Sequence, residues 1–302
     1  MIRYSVELNQ KDEIMSSVKY FLMGVVLLAL SIIQIPAQVL FSDGFETYVG
    51  GAAPLDKNYA GANAAPNGSG NPWFGPAPPN ARVVGTEGSV SPHSGTQMIR
   101  SSAPSDLDEN WYNLAYRLNS GSPFTGLIAY DWWFYDPLGS GGSGFRDYAA
   151  LGYYNTAPGN TDYPGTGSLN GSTQIQRLSL GASNPSGYDN TKYQARVVGA
   201  TDGLNGGGWF NLSVTRSVGW HEGRIVVDGA NNVSFYIDDM NNPVLTHSAV
   251  LTYGYNVIEL NTGYGPTTGY FDDVSFSLIP EPSTAGLLIC GGLSWLALRR
   301  RK

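Results

Sequence analysis

Between residues 38 and 279 the chain holds no 3.6-residue apolar period of useful length. Its apolar residues recur at every second position instead, in short runs separated by Gly, Asn, Pro and Ser. The runs are 39–46, 82–84, 96–101, 111–118, 127–135, 148–154, 175–180, 193–198, 210–215, 220–228, 233–238, 257–261 and 269–278. A strand turns successive side chains to opposite faces, so each run presents one apolar and one polar face. Many such runs at this spacing predict an all-β sandwich or jelly roll. The clearest hairpin joins 224–228 to 233–238 through Gly229-Ala230-Asn231-Asn232, where Gly and Asn supply the positive φ of a tight turn. The Gly-, Ala-, Asn- and Pro-rich stretch 49–79 reads as a long loop, as do 138–144 and 154–172.

Composition agrees. Charged residues make up 14% and aromatics 12%, with 39 Gly, and the Glu and Lys that join Ala and Leu in long helices are scarce. The formal net charge of -7 repels a phosphate backbone and argues against a nucleic-acid partner. The single cysteine, Cys290, lies near the C-terminus. The sandwich therefore has neither disulfide nor thiolate chemistry and must stand on its core, with or without a bound metal.

The two ends read as targeting segments. Residues 21–35 are almost wholly apolar, follow Lys19, and lead to Pro36-Ala37. This predicts a Sec signal helix cleaved before Gln38. Glu7, Asp12 and Glu13 do not suit a basic n-region, and translation from Met15 would remove them. At the other end, Pro280-Glu281-Pro282 precedes an apolar run of about 14 residues, roughly 21 Å as a helix. The run is short against a hydrocarbon core of roughly 30 Å, so it reads as a temporary span. Arg299, Arg300, Arg301 and Lys302 then hold the last residues on the cytoplasmic side during export. The domain division is 1–37 signal, 38–279 sandwich and 280–302 sorting tail.

This tail resembles the PEP-CTERM sorting signal of Gram-negative bacteria, with Pro280, Glu281 and Pro282 as the motif and Arg299, Arg300 and Arg301 as the basic end. The resemblance implies an exosortase-type membrane enzyme as partner, a transient stay in the inner membrane, and delivery to the cell surface or an extracellular matrix. It covers about the last two dozen residues and implies nothing about the sandwich.

A second resemblance rests on three patches. They are Leu40-Phe41-Ser42-Asp43-Gly44-Phe45-Glu46, Trp220-His221-Glu222 with Phe235-Tyr236-Ile237-Asp238-Asp239, and Tyr270-Phe271-Asp272-Asp273-Val274-Ser275-Phe276. They are similar to the concanavalin A-like lectin/glucanase and laminin-G-like jelly rolls. That likeness implies neighbouring first and last strands whose carboxylates share a structural calcium: Asp43, Glu46, Asp272 and Asp273, with Asp273 and Glu46 preferred. The preference assumes strict alternation, under which Asp272 and Asp273 cannot face the same way.

Three classes of activity follow for the sandwich. Tyr130 to Tyr135 carries aromatics on both faces. One set is core; the other, Trp133 and Tyr135, is either a platform for stacked sugar rings, joined by Trp111 and Tyr153, or a second buried face. The expectation is a non-catalytic, carbohydrate-binding sandwich that meets extracellular polysaccharide. The alternatives are a purely structural surface protein and a glycoside hydrolase. Hydrolysis needs two carboxylates held across a sugar, and the Glu-x-Asp-x-x-Glu pattern of glucanases of this fold is absent. His93, His221 and His247 lack metal-ligand spacing, and no Gly-x-Ser-x-Gly elbow occurs.

Overall fold

The computed structural model describes residues 37–48, 73–74, 81–103, 113–118, 122–141, 146–154, 174–183, 187–199, 208–228, 232–248, 253–263 and 267–279. The expected signal segment, Trp111, and the sequence from Pro280 onward lie outside them. Among the described residues no helix is long and apolar enough to cross a membrane.

The expected all-β sandwich is what these residues form. Its strands are β1 Gln38–Asp43, β2 Trp73–Phe74, β3 Ala81–Val84, β4 Met98–Ala103, β5 Asn113–Arg117, β6 Ile128–Asp136, β7 Arg146–Tyr154, β8 Gln174–Ala182, β9 Lys192–Val198, β10 Gly208–Thr215, β11 Gly219–Val227, β12 Asn232–Ile237, β13 Leu245–Ser248, β14 Val257–Gly263 and β15 Thr267–Leu278. An eight-stranded sheet runs β13-β12-β11-β6-β15-β4-β3, with β1 also paired to β15. A seven-stranded sheet runs β10-β9-β8-β7-β14-β5-β2. The chain crosses from sheet to sheet between β5, β6 and β7, and again between β13, β14 and β15. First and last strands are neighbours, as the jelly-roll resemblance implied.

Alternation decides what faces inward. In β6 Tyr130, Trp132 and Phe134 are fully buried, while Asp131, Trp133 and Tyr135 are half-buried on the other side. Opposite them, Leu178 and Leu180 of β8, Ala149 and Leu151 of β7, Ile258 and Leu260 of β14, and Tyr193 and Ala195 of β9 complete the core. Burying a large apolar side chain contributes roughly 1.5–3 kcal/mol, so this double layer supplies what disulfides supply elsewhere.

Two strands escape sequence reading. β2 is only Trp73–Phe74, inside the stretch expected to be loop. β13, Leu-Thr-His-Ser, has too few apolar positions to show a period; it forms because β12 offers it a free edge, with Phe235 facing Leu245 and Val233 facing His247.

The centre of the eight-stranded sheet depends on one missing side chain. Gly223 of β11 lies opposite Trp132 of β6, and a Cβ there would stand 2.5 Å from the indole ring. Gly223→Ala therefore forces the indole off its seat. A loss of about 1–3 kcal/mol of stability in denaturant unfolding is expected, as for other overpacked cores; an unchanged midpoint would show that the indole has room to move.

Candidate functional site

The residues expected to form an aromatic platform do not share a face. Trp133 and Tyr135 lie on the outer face of the eight-stranded sheet, where segment 85–97 is seated. His93 stacks on Trp133, with ring centres 3.6 Å apart and planes 12° apart. Tyr135 meets Trp220 and Tyr270 edge-on, over a small apolar cluster of Val84, Val90 and Met98. Trp220 Nε1 donates to the Ser91 carbonyl at 2.9 Å. Tyr153 belongs to the other sheet and stacks on Tyr253. These rings are committed to one another, because period-2 alternation fixes where a ring points and not what lies over it.

The four carboxylates expected at a calcium site divide. Asp43 turns to its own turn, accepting from Phe45 N and the Tyr48 hydroxyl. The other three meet at segment 94–97. Glu46 accepts from Thr96 N, Thr96 Oγ1 and Gln97 N. Asp272 accepts from Ser94 N, and Asp273 from Ser94 Oγ. The premise that Asp272 and Asp273 must oppose one another fails: Asp273 has φ 46° and the register shifts between Asp272 and Ser275. This bulge breaks the alternation and brings both side chains to one residue. Burial, joined by the charge of Asp273, pushes the Asp272 carboxyl up to about 6, against the pull of the Ser94 hydrogen bond. Two adjacent carboxylates, one buried, suit a hard divalent cation. The fit is partial, since among the described residues no three His, Cys, Asp or Glu side chains are grouped around one metal position.

His221, which reads in the sequence as a plain strand residue, holds a more exacting place. Its Nδ1 is 2.8 Å from Asp238 Oδ2 and its Nε2 is 2.9 Å from the Ser217 carbonyl. Ser217 Oγ is 3.3 Å from the same Nε2, which outlines a Ser-His-Asp arrangement. A general base in such a triad needs a lone pair on Nε2. Here a carbonyl and a carboxylate face the two nitrogens, an arrangement that favours the doubly protonated ring. Burial pulls the imidazole down, but the Asp238 and Ser217 hydrogen bonds outweigh it and the pKa is raised. When protonated, the ring clamps β11 to the residue after β12.

The outer face of the seven-stranded sheet is built differently. Across β10-β9-β8-β7-β14 one row reads Trp209, Arg196, Ser179, Ala150, Glu259, and the next reads Asn211, Gln194, Gly181, Tyr148, Asn261. A third, from β9, reads Val198, Arg177, Gly152, Val257. Small residues floor the middle strands, and large or charged ones stand around them. Arg177 Nη2 reaches Glu259 Oε2 at 2.8 Å, two strands away across Ala150, and both are buried. The Arg177 guanidinium lies 5.5 Å from the Tyr148 ring, and that of Arg196 lies 5.6 Å from Trp209. Tyr148 and Trp209 meet edge-to-face at 5.7 Å. Gly181, at φ 149°, makes this possible, because a Cβ there would stand 2.8 Å from the Tyr148 Cβ.

Two groups on this face stand out energetically. Ser179 Oγ and both amide atoms of Asn261 are buried and find no hydrogen-bond partner among the described residues, a state shared with Ser183 Oγ at the end of β8 and with Trp132 Nε1 and the Tyr255 hydroxyl in the core. Such a group costs about 1–3 kcal/mol, and native folds retain few without a reason. Polar atoms of this kind beside aromatic rings and an ion pair are what a polar, ring-shaped ligand needs. The signal in the sequence was faint: Arg177 and Ser179 alternate with Leu178 and Leu180, and Glu259 and Asn261 with Ile258 and Leu260. They read as an ordinary solvated face, because their aromatic companions sit on other strands.

No protein-family profile and no curated protein matches the chain. Solved structures do. The endo-β-1,4-glucuronan lyase of the fungus Trichoderma reesei is 12% identical, with a TM-score of 0.42 over 69% of this chain and 96% of that one. The Bacillus licheniformis β-glucanase is 13% identical, with a TM-score of 0.41 over 79% and 97%. A Bacillus subtilis protein of unknown function with a galectin-like fold is 14% identical, with a TM-score of 0.40 over 65% and 88%. At such identities and TM-scores the likeness carries no argument about what this chain binds or does.

The His221 clamp carries a pH signature. Its folded pKa lies above the unfolded value, so its contribution is complete below about pH 6.5 and is lost as pH rises through the folded value. Asp238→Asn should lower stability by about 1–3 kcal/mol at pH 6 and much less at pH 9. An equal loss at both pH values would remove the charged imidazole from the account.

Proposed function

We propose that this chain is an exported surface or matrix protein whose sandwich binds polysaccharide, without catalysis, on the outer face of the seven-stranded sheet. The observation that carries the binding reading is the pair of buried, unpartnered polar side chains, Ser179 and Asn261, beside Tyr148 and Trp209. Sugar hydroxyls are donors and acceptors that satisfy such groups, and the half-buried Trp209 offers a ring face to the C–H side of a pyranose, Tyr148 itself being buried. The non-catalytic reading is supported by the pairing of Glu259 with Arg177, which engages the carboxylate at the centre of this face. Export, exosortase processing and delivery to the surface are supported by residues 21–35, by Pro280, Glu281 and Pro282, and by Arg299, Arg300 and Arg301.

A buried polar group kept for a ligand is a stability cost that substitution can relieve. Asn261→Leu should leave the melting temperature unchanged or raise it by a few degrees, and should abolish retention of the full chain on an affinity gel of its polysaccharide. A destabilised but still binding variant would make Asn261 a structural residue and refute the proposed face. Release of reducing sugar by the wild-type chain would instead establish a hydrolase.

A structural calcium held by Asp272 and Asp273, with Glu46 committed to Thr96 and Gln97, belongs to the same reading. With the metal chelated, the raised Asp272 pKa makes its contribution largest below about pH 4 and loses it as pH rises through about 6. Acidifying the EDTA-treated protein from pH 7 to 5 should therefore raise its melting temperature, and calcium at pH 7 should do the same. A melting temperature indifferent to EDTA at pH 7 excludes the ion.

A further inference from the structure

Tyr153 and Tyr253 form a stacked pair at one end of the seven-stranded sheet. Their ring centres are 4.8 Å apart and their planes 4° apart, so the rings lie face to face in contact. Tyr153, near the end of β7, is half-buried. Tyr253 precedes β14 and is 42% exposed, so an oxidant in solution reaches the pair.

The backbone of Tyr253 is held from two sides. Gln176 of β8 lies opposite Tyr153 in register and is buried. Its Nε2 donates to the Tyr253 carbonyl at 2.6 Å and to the Gly254 carbonyl at 3.2 Å, and its Oε1 accepts from Tyr253 N at 3.4 Å. On the other side Phe124 and Tyr255 exchange backbone hydrogen bonds, each at 2.8 Å. A Cβ on Gly254 would stand 2.2 Å from the Phe124 carbonyl oxygen, so this close approach requires glycine. The Tyr253 ring is thus mounted on a fixed segment, against a ring carried by the strand beside Gln176. By contrast Tyr135 and Tyr270, on the other sheet, meet edge-on at 6.3 Å.

We infer that Tyr153 and Tyr253 are a modification site, at which one-electron oxidation of the peroxidase type joins the two rings as dityrosine. Each phenol gives up a proton and an electron, and the unpaired electron spreads to the ring carbons ortho to the oxygen. One ortho C–H bond breaks on each ring, one C–C bond forms between them, and the two hydrogens reduce one hydrogen peroxide to two waters. Holding the two radicals in contact makes their coupling an intramolecular event, favoured over encounter between chains. The product is a staple that ties β7 to the segment entering β14 across about 100 residues of chain. The described sandwich contains no cysteine, Cys290 being the chain's only one, so this bond is the kind of covalent closure its residues allow. It is independent of what the outer faces bind.

The test exposes the dilute full chain to a haem peroxidase and hydrogen peroxide. The single-chain species should gain the blue fluorescence of dityrosine, and fragment spectra should show Tyr153 joined to Tyr253 with the loss of two hydrogens. Its melting temperature should rise by about 10 °C, as expected for closing so long a loop. Tyr153→Phe and Tyr253→Phe keep both rings and remove one phenol, and each should abolish that product. Tyr135→Phe should leave it unchanged. A single-chain species without dityrosine, coupling only between chains, or a product that survives either variant overturns the site. A cross-linked chain with an unchanged melting temperature overturns the staple.

Discussion

Trp132 lies across Gly223 in the middle of the eight-stranded sheet, with Tyr130 and Phe134 on either side of it in the same strand. This aromatic row joins the two halves of the molecule. Its packing fixes β6 between β11 and β15. From the same row, the Tyr130 hydroxyl donates to the Glu259 carbonyl at 3.2 Å, tying β14 of the opposite sheet to the core at the residue whose side chain pairs with Arg177. Core packing and the candidate site are thus one mechanical unit. Close-packed interiors transmit displacement, so a shift of the aromatic row would be felt at Glu259 and Asn261.

Polar interactions in this sandwich fall into two kinds. Some finish the architecture: the His221 clamp, the buried Arg216–Asp136 pair, and the three carboxylates around segment 94–97. In these the ionisable groups have evident partners, and each closes a strand end or pins a connection. The outer face of the seven-stranded sheet is of the second kind. Its groups cost stability through burial, and Ser179 and Asn261 recover none of that cost by pairing within the described structure. Folds tolerate that expense where a ligand supplies the missing partners.

Sequence reading succeeded where a residue's environment repeats along the chain. The all-β architecture, the hairpin of β11 and β12, and the inward set of Tyr130, Trp132 and Phe134 all follow from period two. It failed where a local event breaks the period. The bulge after Asp272 turns two neighbouring carboxylates to one residue, and no count of alternate positions anticipates it. It also failed at the aromatic platform, since a run of rings shows only that one face must be outward. His93 stacked on Trp133 shows that an outward ring is not an available one.

The sequence by itself determined the class of fold: alternating runs can bury apolar surface only as sheets. Only the tertiary structure brought the residues of the proposed face together. Tyr148, Arg177, Ser179, Trp209, Glu259 and Asn261 come from four strands, β7, β8, β10 and β14, and are distant in the chain. Their meeting depends on strand order and register, which are set by long-range pairing and core packing, and neither is written in any local stretch of residues.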